Sequence, residues 1–119
     1  MAFSIATITF CRTLPREPEC GVIKYQLLKS ATSIGANYRL SCRGRSTREK
    51  RSKLGIALEE ADESDYWLSL LEFIKMGDAD QRKTLLAECG EFIKIFSKSL
   101  QTHRRKNPGT DAGNRPDAQ

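Results

Sequence analysis

The sequence predicts an all-α protein, an antiparallel up-down-up-down four-helix bundle with a short first helix and a disordered C-terminal tail. Two observations predict this class. Three long segments repeat apolar residues every three or four positions, which is the period of one helix face. The connections between consecutive segments are only a few residues long, and short connections place consecutive helices side by side in opposite directions. The 119 residues fit one domain, with the bundle expected over residues 1–102.

The first segment, residues 2–13, is the least defined of the four. Its apolar positions are Phe3, Ile5, Ile8 and Phe10. Taken alone, this run is ambiguous between a strand and a helix, because it is short and its β-branched residues favour a strand. The two prolines of the following stretch, Leu14–Pro18, then end the segment.

The second segment is predicted to be a helix over residues 18–43. Pro18 suits its first turn, where the backbone amide of a helix has no partner in any case. Gly44 and Ser46 mark its end. One apolar stripe runs along the segment at helical spacing. Its members are Ile23, Leu27, Ala31, Ile34, Tyr38 and Cys42.

The third segment is predicted to be a helix over residues 47–75. Ser46 followed by Glu49 forms a capping box, in which each side chain accepts a hydrogen bond from a backbone amide of the first turn. Gly77 suits a left-handed C-cap, because glycine adopts a positive φ without strain. The core stripe consists of Leu54, Leu58, Ala61, Leu68 and Leu71.

The fourth segment is predicted to be a helix over residues 79–102, with Asp78 as its N-cap. Its apolar residues are again regularly spaced. From His103 to the end the chain is polar and contains several prolines and glycines, so residues 103–119 are expected to be a disordered tail. The stripe consists of Leu85, Cys89, Phe92, Phe96 and Leu100.

The C-terminal half of the third segment is apolar over more than one face. Between Trp67 and Ile74 the apolar residues spread over roughly 220°, at about 100° per residue. A helix that buries one face needs a stripe only somewhat wider than ~100°. The excess predicts a second buried face and therefore a homo-oligomer. The interface residues expected are Trp67, Leu70, Phe73 and Ile74.

Composition excludes a membrane protein, a collagen-like chain and a wholly disordered chain. The chain has 20 Lys and Arg against 15 Asp and Glu, a net charge of +5, and 39% hydrophobic residues. The longest uncharged stretch, Met1–Cys11, is too short to cross a membrane and lacks the basic start of a signal peptide. The cysteines have no C-x-x-C spacing, which favours reduced thiols in a cytoplasmic protein. They are Cys11, Cys20, Cys42 and Cys89.

The residue patterns that are typical of catalytic and metal sites are missing from the sequence. The only histidine is His103, and no Gly-x-x-x-x-Gly-Lys-Ser/Thr loop is present to hold a nucleotide. Glu60 and Glu63 are three positions apart on a helix, but a hard cation requires more oxygen ligands than this pair supplies. We therefore expect no enzyme activity, no cofactor and no metal site.

A basic block lies between residues 39 and 53. It holds seven cations and one anion, Glu49, for a net charge of +6, and residues 59–65 that follow carry a net charge of −5. One interpretation is a phosphate-binding surface for RNA or DNA, in which Arg43, Arg45, Arg48 and Arg51 contact phosphates. The seven cations are Arg39, Arg43, Arg45, Arg48, Lys50, Arg51 and Lys53.

Other interpretations of this block stay open. It could be a solvated helix face that its own acids partly neutralise. Arg39 could instead pair with Glu60 or Glu63 inside the bundle, since the planar guanidinium suits a carboxylate. At the level of function, the alternative to a nucleic-acid-binding protein is a structural or protein-interaction ring. Asn37, Glu60 and Glu63 are the candidates for a buried polar network between the second and third helices.

Two stretches of the sequence resemble a known family. Residues 26–39 contain the string Ser-x-x-Ser-Ile-Gly-Ala-Asn-x-Arg, and residues 53–71 contain Glu-Ala-x-Glu-x-x-Tyr-Trp-Leu. Both strings resemble the bacterial four-helix-bundle proteins encoded in 23S ribosomal-RNA intervening sequences. The same family includes relatives of the accessory variability determinant proteins of diversity-generating retroelements. With the cap between them, the two stretches cover about a third of the chain.

The resemblance implies four helices, with the first segment as helix one, and a ring-shaped homopentamer. It implies a protein without enzyme activity whose retroelement relatives bind nucleic acid and partner a reverse transcriptase. Three features depart from the family pattern. Lys50 and Arg51 replace an aromatic and an aliphatic residue, Leu40 stands where glutamate usually follows the arginine, and helix one starts unusually late.

Overall fold

A computed structural model describes the backbone of residues 1–106 and the side chains of residues 1–102. Over this range the chain forms four helices and confirms the predicted all-α class. α1 packs against α2 and α4, and α3 packs against α2 and α4, which is the arrangement of an up-down bundle. The helices are α1 (Ala2–Cys11), α2 (Pro18–Cys42), α3 (Thr47–Ile74) and α4 (Ala79–Lys106).

The first segment is a helix because its buried residues follow a helical spacing. Phe3, Thr7 and Phe10 are buried on one side of α1, while Ile5 and Ile8 face solvent. The hydroxyl of Thr7 donates to the carbonyl of Phe3 at 2.8 Å, so this buried polar group is satisfied within its own helix. The packing of two phenylalanines therefore outweighs the strand preference of the β-branched residues.

The predicted helix starts are present. The Ser46 hydroxyl accepts from the Glu49 amide at 3.1 Å, and the Asp78 carboxylate accepts from the Gln81 amide at 2.9 Å. The Glu49 carboxylate accepts from the amide of Arg45, at 2.9 Å, rather than from that of Ser46. The reciprocal bond of the capping box is thus shifted by one residue.

The end of α3 differs from the expectation in one detail. Lys75, and not Gly77, is the left-handed residue directly after the helix, with a φ of 60°. The Met76 amide donates to the Leu71 carbonyl at 3.0 Å, which is the long bond of a Schellman motif. Gly77 also has a positive φ, of 80°, because the chain must turn there toward α4.

The segment that follows α1 contacts the turn between α3 and α4. The Thr13 hydroxyl donates to the Phe10 carbonyl at 2.6 Å and accepts from the Asp78 amide at 2.9 Å. A Cβ atom added to Gly77 would lie 2.7 Å from the ring of Phe10. The turn between α3 and α4 therefore lies directly against the end of α1.

The apolar stripe predicted for α2 is buried only in part. Ile23, Leu27 and Ile34 are buried, but Tyr38 is 46% exposed and Cys42 is exposed. The reason is the length of α1, whose ten residues span ~15 Å, whereas the 25 residues of α2 span ~37 Å. The last two turns of α2 consequently have no α1 beside them.

α4 is longer than predicted. It continues to Lys106, so residues 103–106 belong to the helix and the start of the expected tail lies four residues too early in the prediction. Basic residues are favourable near a helix C-terminus, where the helix dipole is negative. Residues 107–119, which make up the rest of the expected tail, lie outside the described residues.

Candidate nucleic-acid interface

The seven cations predicted to bind nucleic acid lie at one end of the bundle, and we call them the basic end. The turn of residues 43–46 joins α2 to α3 at this end. The cations come from the last turn of α2, from the turn itself and from the first two turns of α3. They are Arg39, Arg43, Arg45, Arg48, Lys50, Arg51 and Lys53.

Most of the basic end is available to a ligand. Arg51 and Lys53 are half-buried, and the other five residues are exposed. The ion pairs described among residues 1–102 involve the carboxylates of Glu72 and Glu91. Six members of the basic end take part in none of these pairs: Arg39, Arg43, Arg45, Arg48, Lys50 and Lys53.

The cations surround the end of the bundle and do not form a single flat face. Arg39 and Arg43 line a hollow beside the start of α1. Arg48 and Arg51 line a depression of about 370 Å³ between α3 and α4. A ligand that neutralises all of them would have to wrap around this end, as a flexible single strand or an irregular RNA can.

The interpretation that places Arg39 in an ion pair inside the bundle does not hold. Arg39 is exposed, and within the described side chains no ion pair joins it to Glu60 or Glu63. Glu63 instead accepts a hydrogen bond from the indole nitrogen of Trp67 at 3.5 Å. The Arg39 guanidinium therefore belongs to the surface.

The predicted polar network between α2 and α3 is present only in part, because the Glu60 carboxylate interacts with the Ser33 hydroxyl of α2 while Asn37 bonds within its own helix. The Asn37 amide donates to the Ser33 carbonyl of its own helix at 2.9 Å. The buried hydrogen bond that joins the two helices runs from the Ser64 hydroxyl to the Ser30 hydroxyl at 2.8 Å. The two hydroxyls meet because the helices approach closely at these small residues. The spacing of residues along one helix does not predict which residues of another helix it will contact.

Glu60 lies in the acidic stretch just below the basic end. Burial raises the pKa of Glu60 above its usual range, and the neighbouring carboxylate of Glu63 raises it further. The hydrogen bond with Ser33 and the positive charge of Lys29 lower the pKa of Glu60 and so oppose this rise. The ionised form of Glu60 is therefore disfavoured in the folded chain relative to the unfolded chain.

We expect Glu60→Gln to remove a pH-dependent loss of stability. A raised pKa in the folded state favours folding below the ordinary value of 4.5, and this contribution disappears as the pH rises through the raised value. The variant should therefore gain stability relative to the wild type at pH 7 but not at pH 4. Urea unfolding at the two pH values measures the difference, with the exposed Glu59→Gln as a charge-matched control. An equal effect of both substitutions at both pH values would contradict the expectation.

The predicted oligomer interface lies at the opposite end of α3. Phe73 is 85% exposed and Ile74 is 37% exposed, while Trp67 and Leu70 are half-buried. Tyr66 was not among the predicted residues, but it is 59% exposed and its ring meets that of Trp67 at 4.9 Å. Together these side chains form an apolar strip on the outside of α3.

Arg82 is the most unusual side chain that the sequence analysis missed. Its side chain is 3% exposed and donates to the Glu72 carboxylate at 2.6 Å. It also donates to the carbonyls of Met76 and Gly77, at 2.7 and 3.0 Å. Arg82 of α4 therefore binds the carbonyls that follow α3. Nothing in the sequence distinguishes it, since two of its acceptors are backbone atoms.

The four cysteines carry free thiols, and three of them are buried. Burial raises the pKa of Cys11 to about 11 and that of Cys89 to about 12. Cys42, near the basic end, is exposed. The described residues contain no group of three or more His, Cys, Asp or Glu placed to hold a metal ion. No helix among them is long and apolar enough to cross a membrane.

Comparisons with known proteins agree with this architecture. The family model described as 23S rRNA-intervening sequence protein matches residues 1–98. A crystal structure of a protein of unknown function from the S23 ribosomal protein family of Bacteroides thetaiotaomicron VPI-5482 is similar to this chain, with a TM-score of 0.75 and 31% identity. The match covers 83% of this chain and 92% of that one. A comparison with curated proteins gives no match.

Proposed function

The chain belongs to the 23S rRNA-intervening sequence protein family, and from this premise we propose that it is a non-enzymatic, oligomeric protein that binds RNA or DNA through its basic end. The observation that carries the proposal is the basic end itself. Six cations at one end of the bundle take part in none of the ion pairs of the described side chains. When such cations neutralise phosphates, the counterions condensed on the nucleic acid are released. This release favours binding to nucleic acid of any sequence.

The placement of the cations also supports binding that is largely independent of sequence. They come from two helix ends and a turn and surround the end of the bundle. Base recognition in duplex DNA instead uses an element that enters a groove and presents a few side chains to base edges. Contacts with the phosphate backbone therefore account for the proposed affinity.

A filter-binding titration against salt concentration tests this proposal. On duplex DNA the logarithm of the binding constant should fall linearly with the logarithm of the salt concentration, with a slope of about 0.9 for each phosphate contact. The triple variant Arg43→Gln, Arg45→Gln, Arg48→Gln should bind more weakly and lower this slope by about 3. These three side chains are exposed, so the substitutions leave the core intact.

A charge-matched control separates the basic end from net charge. Arg12, Arg16 and Lys83 are also exposed, and all three lie toward the other end of the bundle. Their replacement by glutamine removes the same three charges but should leave the slope almost unchanged. Equal losses in the two triple variants, or no retention of nucleic acid at low salt, would reject the basic end as the binding surface.

We further propose that the apolar strip on α3 mediates self-association, in a ring of the kind that the family resemblance implies. We expect Phe73→Ala to weaken association at least tenfold, since buried aromatic side chains dominate interfaces. Phe73 is almost fully exposed in the single chain, so its removal should not affect folding. Sedimentation measures the change, with the exposed Ile5→Ala on α1 as the control. A folded wild-type monomer at high concentration would contradict the prediction.

The cellular context of the protein is part of the same proposal. The four free thiols support a cytoplasmic location, where cysteines stay reduced. A relationship to retroelement proteins would make a reverse transcriptase a partner. Co-purification of the protein with a reverse transcriptase encoded beside it tests that partnership.

A further inference from the structure

The side of α3 that faces away from the bundle has a basic part and an acidic part, with a glycine between them. Arg48 and Ser52 precede Gly55, and Glu59 and Asp62 follow it. At about 100° per residue these five positions fall within an arc of roughly 80°, so they share one side of the helix. The four side chains are exposed, and the buried residues of α3 lie on the opposite side. We call this side the outer face of α3.

The charges of the outer face are not used inside the bundle. The ion pairs described among residues 1–102 all involve Glu72 or Glu91, so the three charged residues of the outer face take part in none of them. Arg48 and Glu59 are about 16 Å apart along the helix axis, which is too far for an ion pair within α3. Only a partner that offers both signs of charge can satisfy the whole outer face.

A second copy of the outer face offers both signs at the required spacing. Arg48 and Asp62 lie at equal distances from Gly55, one on each side of it. If two α3 helices cross at Gly55 in opposite directions, Arg48 of each copy lies opposite Asp62 of the other, and Glu59 lies about one turn away. A parallel pair would place like charges opposite each other, which is repulsive. Charge therefore favours the antiparallel arrangement, in which the two copies are related by a two-fold axis.

Gly55 allows the two helices to approach closely at the crossing point. A Cβ atom added to Gly55 would meet no atom within 4 Å, so the space over this residue is open. The depression of about 370 Å³ between α3 and α4 adjoins it and is lined by Arg48, Ser52 and Leu100, among others. Because glycine has no side chain, the backbone of another helix can come close here. The long side chain of Arg48 can then reach the carboxylates of the other copy.

We propose that two copies of the chain pair through their outer faces, with α3 crossing α3 at Gly55. Each copy would place the guanidinium of Arg48 beside the carboxylates of Glu59 and Asp62 of the other. Paired hydrogen bonds between a guanidinium and a carboxylate would fix the register. One helix of each copy forms this contact, which is small beside a standard interface of about 1,600 Å², and salt screens its ion pairs. The pairing should therefore be weak and reversible.

The crossing point is separate from the apolar strip but shares Arg48 with the basic end. Phe73 lies about 27 Å from Gly55 along α3, so the strip and the crossing point do not overlap. A paired copy would cover Arg48, and a nucleic acid would then compete with the second copy for this residue. This competition rests on the proposed nucleic-acid binding, whereas the pairing itself does not.

Sedimentation equilibrium of charge-reversal variants tests the pairing. All the proteins carry Phe73→Ala, which removes association through the apolar strip. Arg48→Glu and Asp62→Arg should each weaken self-association by at least about tenfold, because like charges then face each other. An equimolar mixture of the two variants should recover most of the association, since both contacts of the mixed pair again join opposite charges. All these positions are exposed, so the variants should fold.

The mixture is the result that decides between pairing and a general effect of charge. A mixture that associates no better than its components would overturn the proposal. So would charge-reversal variants that associate as well as the Phe73→Ala protein, or a Phe73→Ala protein that does not associate at low salt. Recovery in the mixture also shows that both variants are folded.

A neutral substitution at the crossing point provides a second test. Gly55→Gln keeps every charge in place but should weaken association by at least about tenfold, because its side chain would fill the space between the helices. Gly90→Gln is the matched control on α4, since a Cβ atom added there also meets nothing within 4 Å. Both substitutions should raise Tm, because glycine is unfavourable inside a helix. Equal association of the two variants would contradict a crossing at Gly55.

Competition with nucleic acid is tested separately, with single-stranded oligothymidylate as the probe. The oligonucleotide should dissociate paired Phe73→Ala protein, and it should bind Gly55→Gln more tightly than Gly90→Gln at protein concentrations where Gly90→Gln is paired. Binding without dissociation would reject the competition. An oligonucleotide that does not bind at low salt would contradict the proposed function and leave the charge-reversal result unchanged. The pairing and the nucleic-acid binding can therefore fail independently.

Discussion

Replacing Arg82 with alanine is expected to lower the free energy of unfolding by about 3 kcal/mol. The substitution removes a buried guanidinium together with its hydrogen bonds to Glu72 and to the carbonyls of Met76 and Gly77. These two carbonyls lie after the end of α3, so they accept no backbone hydrogen bond within that helix. Urea unfolding at pH 7 measures the loss.

Two further variants show that the effect comes from the geometry of Arg82. Lys94→Ala breaks an ion pair on the same helix, with Glu91 at 3.9 Å, but both of those side chains are exposed. It should change stability by less than about 1 kcal/mol. Arg82→Lys keeps the charge but loses the planar fork, so it should recover only part of the stability. If Arg82→Ala is as stable as Lys94→Ala, the guanidinium does not hold the two helices together.

The same contact predicts a dependence on pH. The hydrogen bond from Arg82 lowers the pKa of Glu72 below its usual range. A carboxyl whose pKa is lowered by folding stabilises the protein above its ordinary value of 4.5, and this contribution disappears as the pH falls through the lowered value. The difference in stability between the wild type and Arg82→Ala should therefore shrink on acidification.

Replacing Gly77 with alanine is expected to destabilise the protein by about 3 kcal/mol. Two causes add at this position. A residue with a side chain is strained at a φ of 80°, and the new Cβ would lie 2.7 and 2.8 Å from two ring atoms of Phe10. The turn cannot retreat easily, because the next residue, Asp78, is bound to Thr13 through its amide. Thermal unfolding or urea unfolding measures the loss.

Gly90 provides the matched control for this substitution. It lies inside α4, and a Cβ atom added there meets nothing within 4 Å. Gly90→Ala should therefore stabilise the protein by about 0.5–1 kcal/mol, since alanine favours a helix. Adding Phe10→Leu to Gly77→Ala should relieve the clash but not the strained φ. The free energy of unfolding should fall in Gly77→Ala and rise in Gly90→Ala. A change of the same sign in both variants would contradict the prediction.

The helices could be predicted because the signals that define them are local. Ser46, Asp78 and the spacing of Leu54, Ala61 and Leu68 act within one turn or along one face of a helix. The first segment could not be assigned from its own residues. Only the burial of Phe3 and Phe10 against other helices decides between a helix and a strand there.

The candidate site could be predicted in its composition but not in its arrangement. A turn of four residues brings the cations from Arg39 to Lys53 to one end, as their order in the sequence indicates. Contacts between distant residues are different. The bond of Ser30 with Ser64 and that of Arg82 with two carbonyls depend on how the helices pack, and no spacing rule encodes them. The exposure of Tyr38 likewise depends on the length of another helix.

The ten residues of α1 also determine how the bundle can open without unfolding. An isolated helix of fewer than about 12–15 residues is barely stable in water. α1 has ten residues, so its helical structure depends on packing against α2 and α4. It can therefore detach as a unit at a lower free energy than the three longer helices, and its amide protons should exchange with solvent first. Detachment would uncover Phe92, whose ring meets that of Phe3 at 5.1 Å. The partly open molecule, rather than the unfolded chain, is then the species most prone to aggregation.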